Sequence, residues 1–313
     1  MKRIFILCCI CILLLTGCWD QKIYERTGFI LQMGIETGKD KKILVVYALP
    51  VIGIEKTNLP ELNIEEINVL RQGREEARKS SPKIIEAGKL QQILFSDELA
   101  EKGIHEMLEI FHRDPVDAIL PYVVIVEGSP RSLIEMSAAY KNKPLPSMYV
   151  NQLLTNNKNI SNINDATIAY FDTCYYAKGL DPFCPMIKSG PKDVKISGSA
   201  LFSGDKMVGK ISTHQTTLLI ALTNKLKSAT YIFPSPNSVE IQDPLKEGMI
   251  VMIKKSKSKI EVKMQGKQPV VNVMLSLKVN LDEYQWDNVS MEKYKKNMKN
   301  LCRISLIKIF YVY

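Results

Sequence analysis

Lys89–Tyr140 reads KLQQILFSDELAEKGIHEMLEIFHRDPVDAILPYVVIVEGSPRSLIEMSAAY. Lys89 to Phe95 has the short apolar character of a strand. The Ser96 hydroxyl can accept from a first helical turn, where Asp97 and Glu98 meet the positive end of the helix dipole. Leu99, Ile104, Met107, Leu108 and Phe111 then share one face of a helix running to about His112. Ala118 to Val126 is almost continuously apolar, as a strand buried on both faces must be. Ser129 and Pro130 open a second helix through Tyr140. Strand, helix, strand and helix in this span require a parallel crossover, so this region is α/β.

Upstream, Thr27 to Ile35 and Ile43 to Pro50 are β-like and flank a polar turn from Glu36 to Lys41. Leu62 to Leu70 has the pattern of a strand, and Gln72 to Ser81 is helix-forming. Downstream, Lys141 to Asn164 is rich in Pro, Asn, Lys and Ser and reads partly as loop, with Met148 to Leu154 able to start a helix. Ala166 to Lys178 is helical in character. Gly179 to Pro191 holds three prolines and two glycines, and the domain boundary is placed there.

Beyond it the pattern becomes antiparallel. Val194 to Phe202 and Met207 to Ile211 form a hairpin around Ser203–Lys206. Ser212 and Gln215 have the spacing of a capping box for a helix to about Leu226. A meander follows: Ala229 to Phe233, Met249 to Lys254, Lys259 to Met264 and Val270 to Leu281. In the last strand Val271, Val273, Leu275, Leu277, Val279 and Leu281 alternate with mostly polar residues, which predicts one buried face. Ser290 to Asn300 reads as a basic helix. The expected fold class is α+β with several mixed subdomains: an N-terminal α/β part over 18–190, and an antiparallel sheet with helices over 191–313.

The chain opens with Met1-Lys2-Arg3, an apolar run from Ile4 to Leu15, and Leu15-Thr16-Gly17-Cys18. Two cations before a run too short to span a bilayer make a secretory signal, assigned to residues 1–17. Small residues before a cysteine mark a lipoprotein cleavage site. Cys18 would carry an S-diacylglycerol, and its freed amine a further acyl chain of the palmitate kind. Each buried methylene contributes roughly 0.8 kcal/mol, so two or more chains anchor stably. Trp19 would sit at headgroup level, where aromatic residues favour the interface.

The formal charge is +9, or +7 without Lys2 and Arg3. For an exported, tethered chain this favours anionic lipid headgroups or an acidic partner over nucleic acid. Lys254, Lys255, Lys257, Lys259 and Lys263 crowd one segment. They read either as a solvated edge guarded against aggregation or as a contact with anionic headgroups. Of the seven cysteines, Cys8, Cys9 and Cys11 leave with the signal and Cys18 is acylated. Cys174, Cys184 and Cys302 remain, an odd number that is no disulfide framework. Whether Cys174 and Cys184 pair stays open.

His112-Arg113-Asp114 resembles a kinase catalytic loop only in three letters. The glycine-rich loop, strand lysine and metal-binding aspartate are missing, so it reads as a helix end. His105 and His112 are seven apart and could share a helix side, but no Cys or carboxylate set completes a metal site in sequence. His214 reads as a surface residue near a helix start. Hydrolase, zincin and phosphate-loop motifs are absent, which points away from an enzyme, and no catalytic residue, cofactor or small-molecule ligand is assigned.

Several segments together resemble one family. Gly17-Cys18-Trp19-Asp20, Arg74-Glu75-Glu76-Ala77, the run from Leu94 through Leu99–Ile104 to Arg113-Asp114, and Ile196–Phe202 followed by Asp205–Gly209 are similar, in order and spacing, to the Ger(x)C spore-germination lipoproteins. The resemblance covers residue 1 to about 290. It implies the lipid-anchored C subunit of a nutrient germinant receptor on the outer face of the spore inner membrane, with two integral membrane subunits, A and B, as partners. It also implies a non-enzymatic α+β protein. Leu301 to Tyr313 does not look like the family's ending, which continues with another helix and strand, so a C-terminally truncated member is expected, with a naturally short member as the alternative. The alternative is a solute-binding lipoprotein of a transport system or, further off, a cell-envelope enzyme.

Overall fold

The computed structural model describes residues 26–51, 59–114, 117–233, 249–266 and 268–284. The signal segment 1–17, Cys18, Trp19, the expected helix Ser290 to Asn300 and the tail from Leu301 lie outside the described residues.

The chain begins with β1 (Thr27–Phe29), β2 (Gln32–Thr37), β3 (Ile43–Pro50) and β4 (Pro60–Ile67), followed by helix α1 (Leu70–Ser80) and the short β5 (Ile84–Glu86). The quoted stretch supplies β6 (Gln92–Ser96), α2 (Asp97–Lys102), α3 (His105–Arg113), β7 (Tyr122–Val126) and α4 (Pro130–Ala138). Then come α5 (Pro146–Asn159), α6 (Ile168–Tyr176), β8 (Phe183–Ser189), β9 (Val194–Ser203) and β10 (Lys206–Ser212).

Eight of these strands form one mixed sheet in the order β10-β9-β8-β7-β6-β2-β3-β4. Its centre is parallel, from β2 through β6 and β7 to β8. Both flanks are antiparallel. The expected crossover is therefore present: β6 and β7 are parallel neighbours joined through α2 and α3. Because successive strand residues point to opposite faces, Ile93 and Phe95 enter one core and Leu94 the other. The first core takes Leu70 and Ala77 of α1, Leu99 of α2, Leu108 and Phe111 of α3, and Phe171 of α6. The second takes Leu133 and Ile134 of α4 and Val150 and Leu154 of α5. All five residues of β7 are buried between them, which accounts for its unbroken apolar run.

Two local expectations are corrected here. The helix expected from Ser96 to His112 is two helices, broken at Gly103, whose φ is +113°. A Cβ at that position would lie 2.7 Å from Asp205 Oδ2, so only glycine admits the β9–β10 turn. The Ile104 N–H donates to the Asp205 carbonyl at 3.2 Å, which seals the junction. Second, Phe183–Ser189, inside the proline-rich stretch read as a boundary, is strand β8 of the central sheet. Pro185 is tolerated because β8 pairs with β7 only through Met186 and Ile187, beyond the proline. Strands β9 and β10, which the sequence places after the boundary, complete this same sheet.

The remaining elements are α7 (Thr213–Leu222), β11 (Ala229–Phe233), β12 (Met249–Gln265) and β13 (Gln268–Tyr284). The capping box is realised in full: Ser212 Oγ accepts from Gln215 N at 3.3 Å and Gln215 Oε1 from Ser212 N at 2.9 Å. The three strands form an antiparallel sheet in the order β11-β12-β13. The two strands expected at 249–254 and 259–264 are one strand of 17 residues. The Lys-Ser run between them contains no glycine or proline to break it, and a bulge between Ile253 and Lys255 absorbs the irregularity. Leu218, Ala229, Tyr231, Val251 and Ile253 form a third, smaller core at the base of this sheet.

Candidate functional site

The lysines singled out in the sequence lie on the long β12–β13 ribbon. Lys254, Lys255, Lys257 and Lys259 are all exposed. Lys255, Lys257 and Lys259 alternate along one face, opposite Lys278, Ser276 and Met274 of β13. Lys259 pairs with Glu261 on that same face. The other face does not match the buried stripe expected of β13. Val271 is 55% exposed and Val273 45%, while Leu275, Leu277 and Leu281 are half-buried against the small core. The cover ends where Ser258 bonds to the end of α7, its Oγ donating to the Leu222 carbonyl at 2.5 Å.

A buried charged cluster that the sequence reading did not single out lies between α1 and the segment after α3. Arg74 Nη1 donates to Asp117 Oδ1 at 2.8 Å and Nη2 to Asp117 Oδ2 at 3.2 Å. Nη2 also donates to Asp114 Oδ2 at 3.3 Å. Burial works against the Arg74 charge, but the Asp117 and Asp114 carboxylates more than offset it and hold the guanidinium firmly protonated. Burial pushes the Asp117 carboxyl above its ordinary range, with Arg74 acting in the opposite direction. Burial also holds the neighbouring Tyr47 hydroxyl protonated well above the usual tyrosine range. Gly73 fits here because a Cβ would lie 2.6 Å from the Tyr47 hydroxyl. A cleft of about 20 Å3 beside Arg74 and Asp117 has room for a water molecule. Arg74 belongs to the Arg-Glu-Glu-Ala segment, but no local signal tied it to Asp117, 43 residues away.

His112, Arg113 and Asp114 point to three separate partners. His112 Nε2 bonds Asp172 Oδ2, Arg113 pairs with Glu109 at 3.0 Å, and Asp114 serves Arg74. His105 does share the helix side of His112, and its Nε2 lies 3.4 Å from the other oxygen of the same Asp172. The His105 ring stacks on Tyr175 at 3.8 Å between centroids. His112 of α3 thus bonds a buried carboxylate of α6 and joins the two helices, with the His105 ring lying beside the other carboxylate oxygen. His214 lies in the first turn of α7, its ring 5.3 Å from that of Tyr231. Among the described residues, no group of three His, Cys, Asp or Glu side chains is placed to hold a metal ion. Cys174 and Cys184 are both buried free thiols. Burial, and then the nearby Cys174, push the Cys184 thiol well above its ordinary value. No helix of the described residues is long and apolar enough to cross a membrane.

Residues 20–189 match the spore germination protein N-terminal domain, and residues 197–306 match the spore germination B3/GerAC-like C-terminal domain. The chain is 27% identical over 292 residues to spore germination protein GerQC of Bacillus cereus, covering 91% of this chain and 77% of that protein. It is 20% identical over 249 residues to the putative spore germination protein YfkR of Bacillus subtilis (strain 168), covering 74% and 63%. The crystal structure of the GerBC protein aligns over 87% of this chain and 78% of that one, with a TM-score of 0.46 and 17% identity.

Proposed function

Because this chain belongs to the GerAC family of spore germination proteins, we propose that it is the lipid-anchored C subunit of a nutrient germinant receptor. It acts in spore germination through protein–protein contacts, without catalysis of its own. The observation that carries this reading is the pair of family domains matched in order along the chain, and the Leu15-Thr16-Gly17-Cys18 sequence that precedes them supports it. On this reading Cys18 carries the S-diacylglycerol and N-acyl chains. The folded part then sits on the outer face of the spore inner membrane, beside integral membrane A and B subunits. Trp19 and the lysines 254, 255, 257 and 259 face the anionic headgroups, each lysine near the surface contributing about 1 kcal/mol. As stretches of sequence, 18–190 and 191–313 are the two germination-protein units on this reading, with β9 and β10 of the second completing the sheet of the first.

On this reading the Cys18 thiol is the acyl acceptor, and alanine in its place cannot form the thioether. Cys18→Ala is therefore expected to leave a chain that is either unprocessed or released, and spores carrying it should germinate poorly. A variant that is processed and partitions like the parent would overturn the anchor. Co-purification of the solubilised chain with two polytopic membrane proteins tests the assembly.

A further inference from the structure

Helix α5 ends in a Schellman motif. The Asn162 N–H donates to the Asn157 carbonyl at 2.9 Å and the Ser161 N–H to the Lys158 carbonyl at 3.2 Å. The residue that this motif places in the left-handed region is Ser161, with φ of +55°. Glycine is the usual occupant there, because it has no Cβ to crowd the backbone. Ser161 is buried, and its oxygens turn to a distant part of the chain. Its Oγ accepts from the Lys227 N–H at 3.0 Å, and its carbonyl from Thr217 Oγ1 at 3.1 Å. These partners lie 66 and 56 residues further on, just before β11 and within α7. Glycine would suit the backbone and lose the bond to Lys227.

Helix α7 is tied to the small sheet by an apolar core and by Ser258 of β12. Leu218 packs with Ala229, Tyr231, Val251 and Ile253. The Ser258 N–H donates to Asn224 Oδ1 at 2.8 Å, and its hydroxyl to the Leu222 carbonyl. Toward α5 and the eight-stranded sheet the same helix offers hydroxyls. Thr216 Oγ1 lies 3.0 Å from Ser199 Oγ of β9, and Thr217 Oγ1 reaches Ser161. Each threonine also has a carbonyl of its own turn within reach, Ser212 at 2.9 Å and Thr213 at 3.1 Å. Both hydroxyls therefore keep a partner if the contact across the junction opens. Ser212 is at once the last residue of β10 and the cap of α7, and such element-terminal residues absorb hinge motions.

We infer that Ser161 is a latch: α7 and the small sheet form one body that pivots at Ser212, and Ser161 fastens it to the end of α5. A buried non-glycine residue in the left-handed region persists only where its surroundings over-determine it, and such residues cluster at switch regions. Here the groups that fix Ser161 include those that join the two bodies, so opening the junction relaxes the serine and frees α7 together. The latch depends neither on the lipid anchor nor on partner subunits.

Amide hydrogen exchange on the full chain in detergent micelles tests this. Ser161→Ala removes the hydroxyl and keeps the unfavourable backbone. The amides of Lys227 and of β11 should then exchange about fivefold faster or more, while β6 and β7 keep their parent rates. Ser161→Gly loses the same oxygen but adopts the left-handed backbone freely, so it should quicken β11 less than alanine does. Thr217→Val keeps the shape of the side chain and withdraws its hydroxyl, and it should quicken the same amides. Unchanged exchange of β11 in Ser161→Ala overturns the inference, even where the Lys227 amide alone is faster. So does an equal rise in β6 and β7, because the two parts would then open as a single body.

Discussion

Arg74 grips Asp117 with both terminal guanidinium nitrogens, at 2.8 and 3.2 Å, across 43 residues of sequence. The Arg74 side chain is 7% exposed and that of Asp117 1%, so neither charge has a ready substitute in water. The pair ties α1 to the segment that carries the chain from α3 into β7.

Removing one member of a buried pair strands the other. Arg74→Met is expected to cost about 3–5 kcal/mol, while the double variant with Asp117→Leu should recover most of that loss. Asp114→Asn, whose side chain is 20% exposed, should cost less, about 1 kcal/mol. Chemical denaturation of the variants checks this ranking. A double variant as weak as the Arg74→Met single would show that the charges are not coupled.

Gly198 has φ of +148°, and a Cβ built there meets the Ile211 carbonyl oxygen at 1.8 Å. No side-chain rotation relieves a clash with backbone, so β10 must move. Gly198→Ala should destabilise the chain by at least about 3 kcal/mol, combining strained backbone with overpacking. Unchanged thermal unfolding would contradict the close approach of β9 and β10.

Ser212→Ala removes the oxygen that receives the Gln215 N–H at the start of α7. The expected loss is about 1 kcal/mol, and Ser212→Asp should restore most of it. Because α7 covers the base of the β12–β13 ribbon, exchange of the amides of β11 should quicken in the alanine variant. Unaltered exchange there would mean that α7 is held by packing alone.

Cys184 is fully buried and its thiol is pushed upward by that burial. A raised folded value means that the neutral thiol's contribution is intact below the unfolded value of about 8.5. It is lost as the pH climbs from there through the folded value. In the native chain Cys184 should resist thiol reagents near neutral pH and react only after unfolding. Rapid native labelling, located by peptide mapping, would be the contrary result.

Signals confined to one turn or one strand were legible in the sequence. Ser96, Ser129 and Ser212 cap the helices expected of them. Of the apolar run Ala118–Val126, Tyr122–Val126 is a doubly buried strand while Ile119 and Leu120 are exposed, and the crossover through α2 and α3 is parallel as required. A cap reaches three residues and a strand alternates every two, so the pattern and its partner lie together in the chain. The family resemblance was legible for a related reason, since order and spacing of short segments are themselves linear features.

Other features depended on which distant residues met. The sequence marked Gly179–Pro191 as a break, yet Cys184, Met186 and Ile187 found a buried place beside β7 and β9, and their burial outweighed the prolines. Asp172 gave no sign that it would bond His112, 60 residues earlier in the chain. Arg74 and Asp117 were two ordinary charges until α1 and α3 packed on the same side of the sheet. The stripe from Val271 to Leu281 announced a face that seeks cover, and only the tertiary structure decided how much it receives. A helix of ten residues rises 1.5 Å per residue and a strand more than twice that, so α7 ends while the ribbon continues.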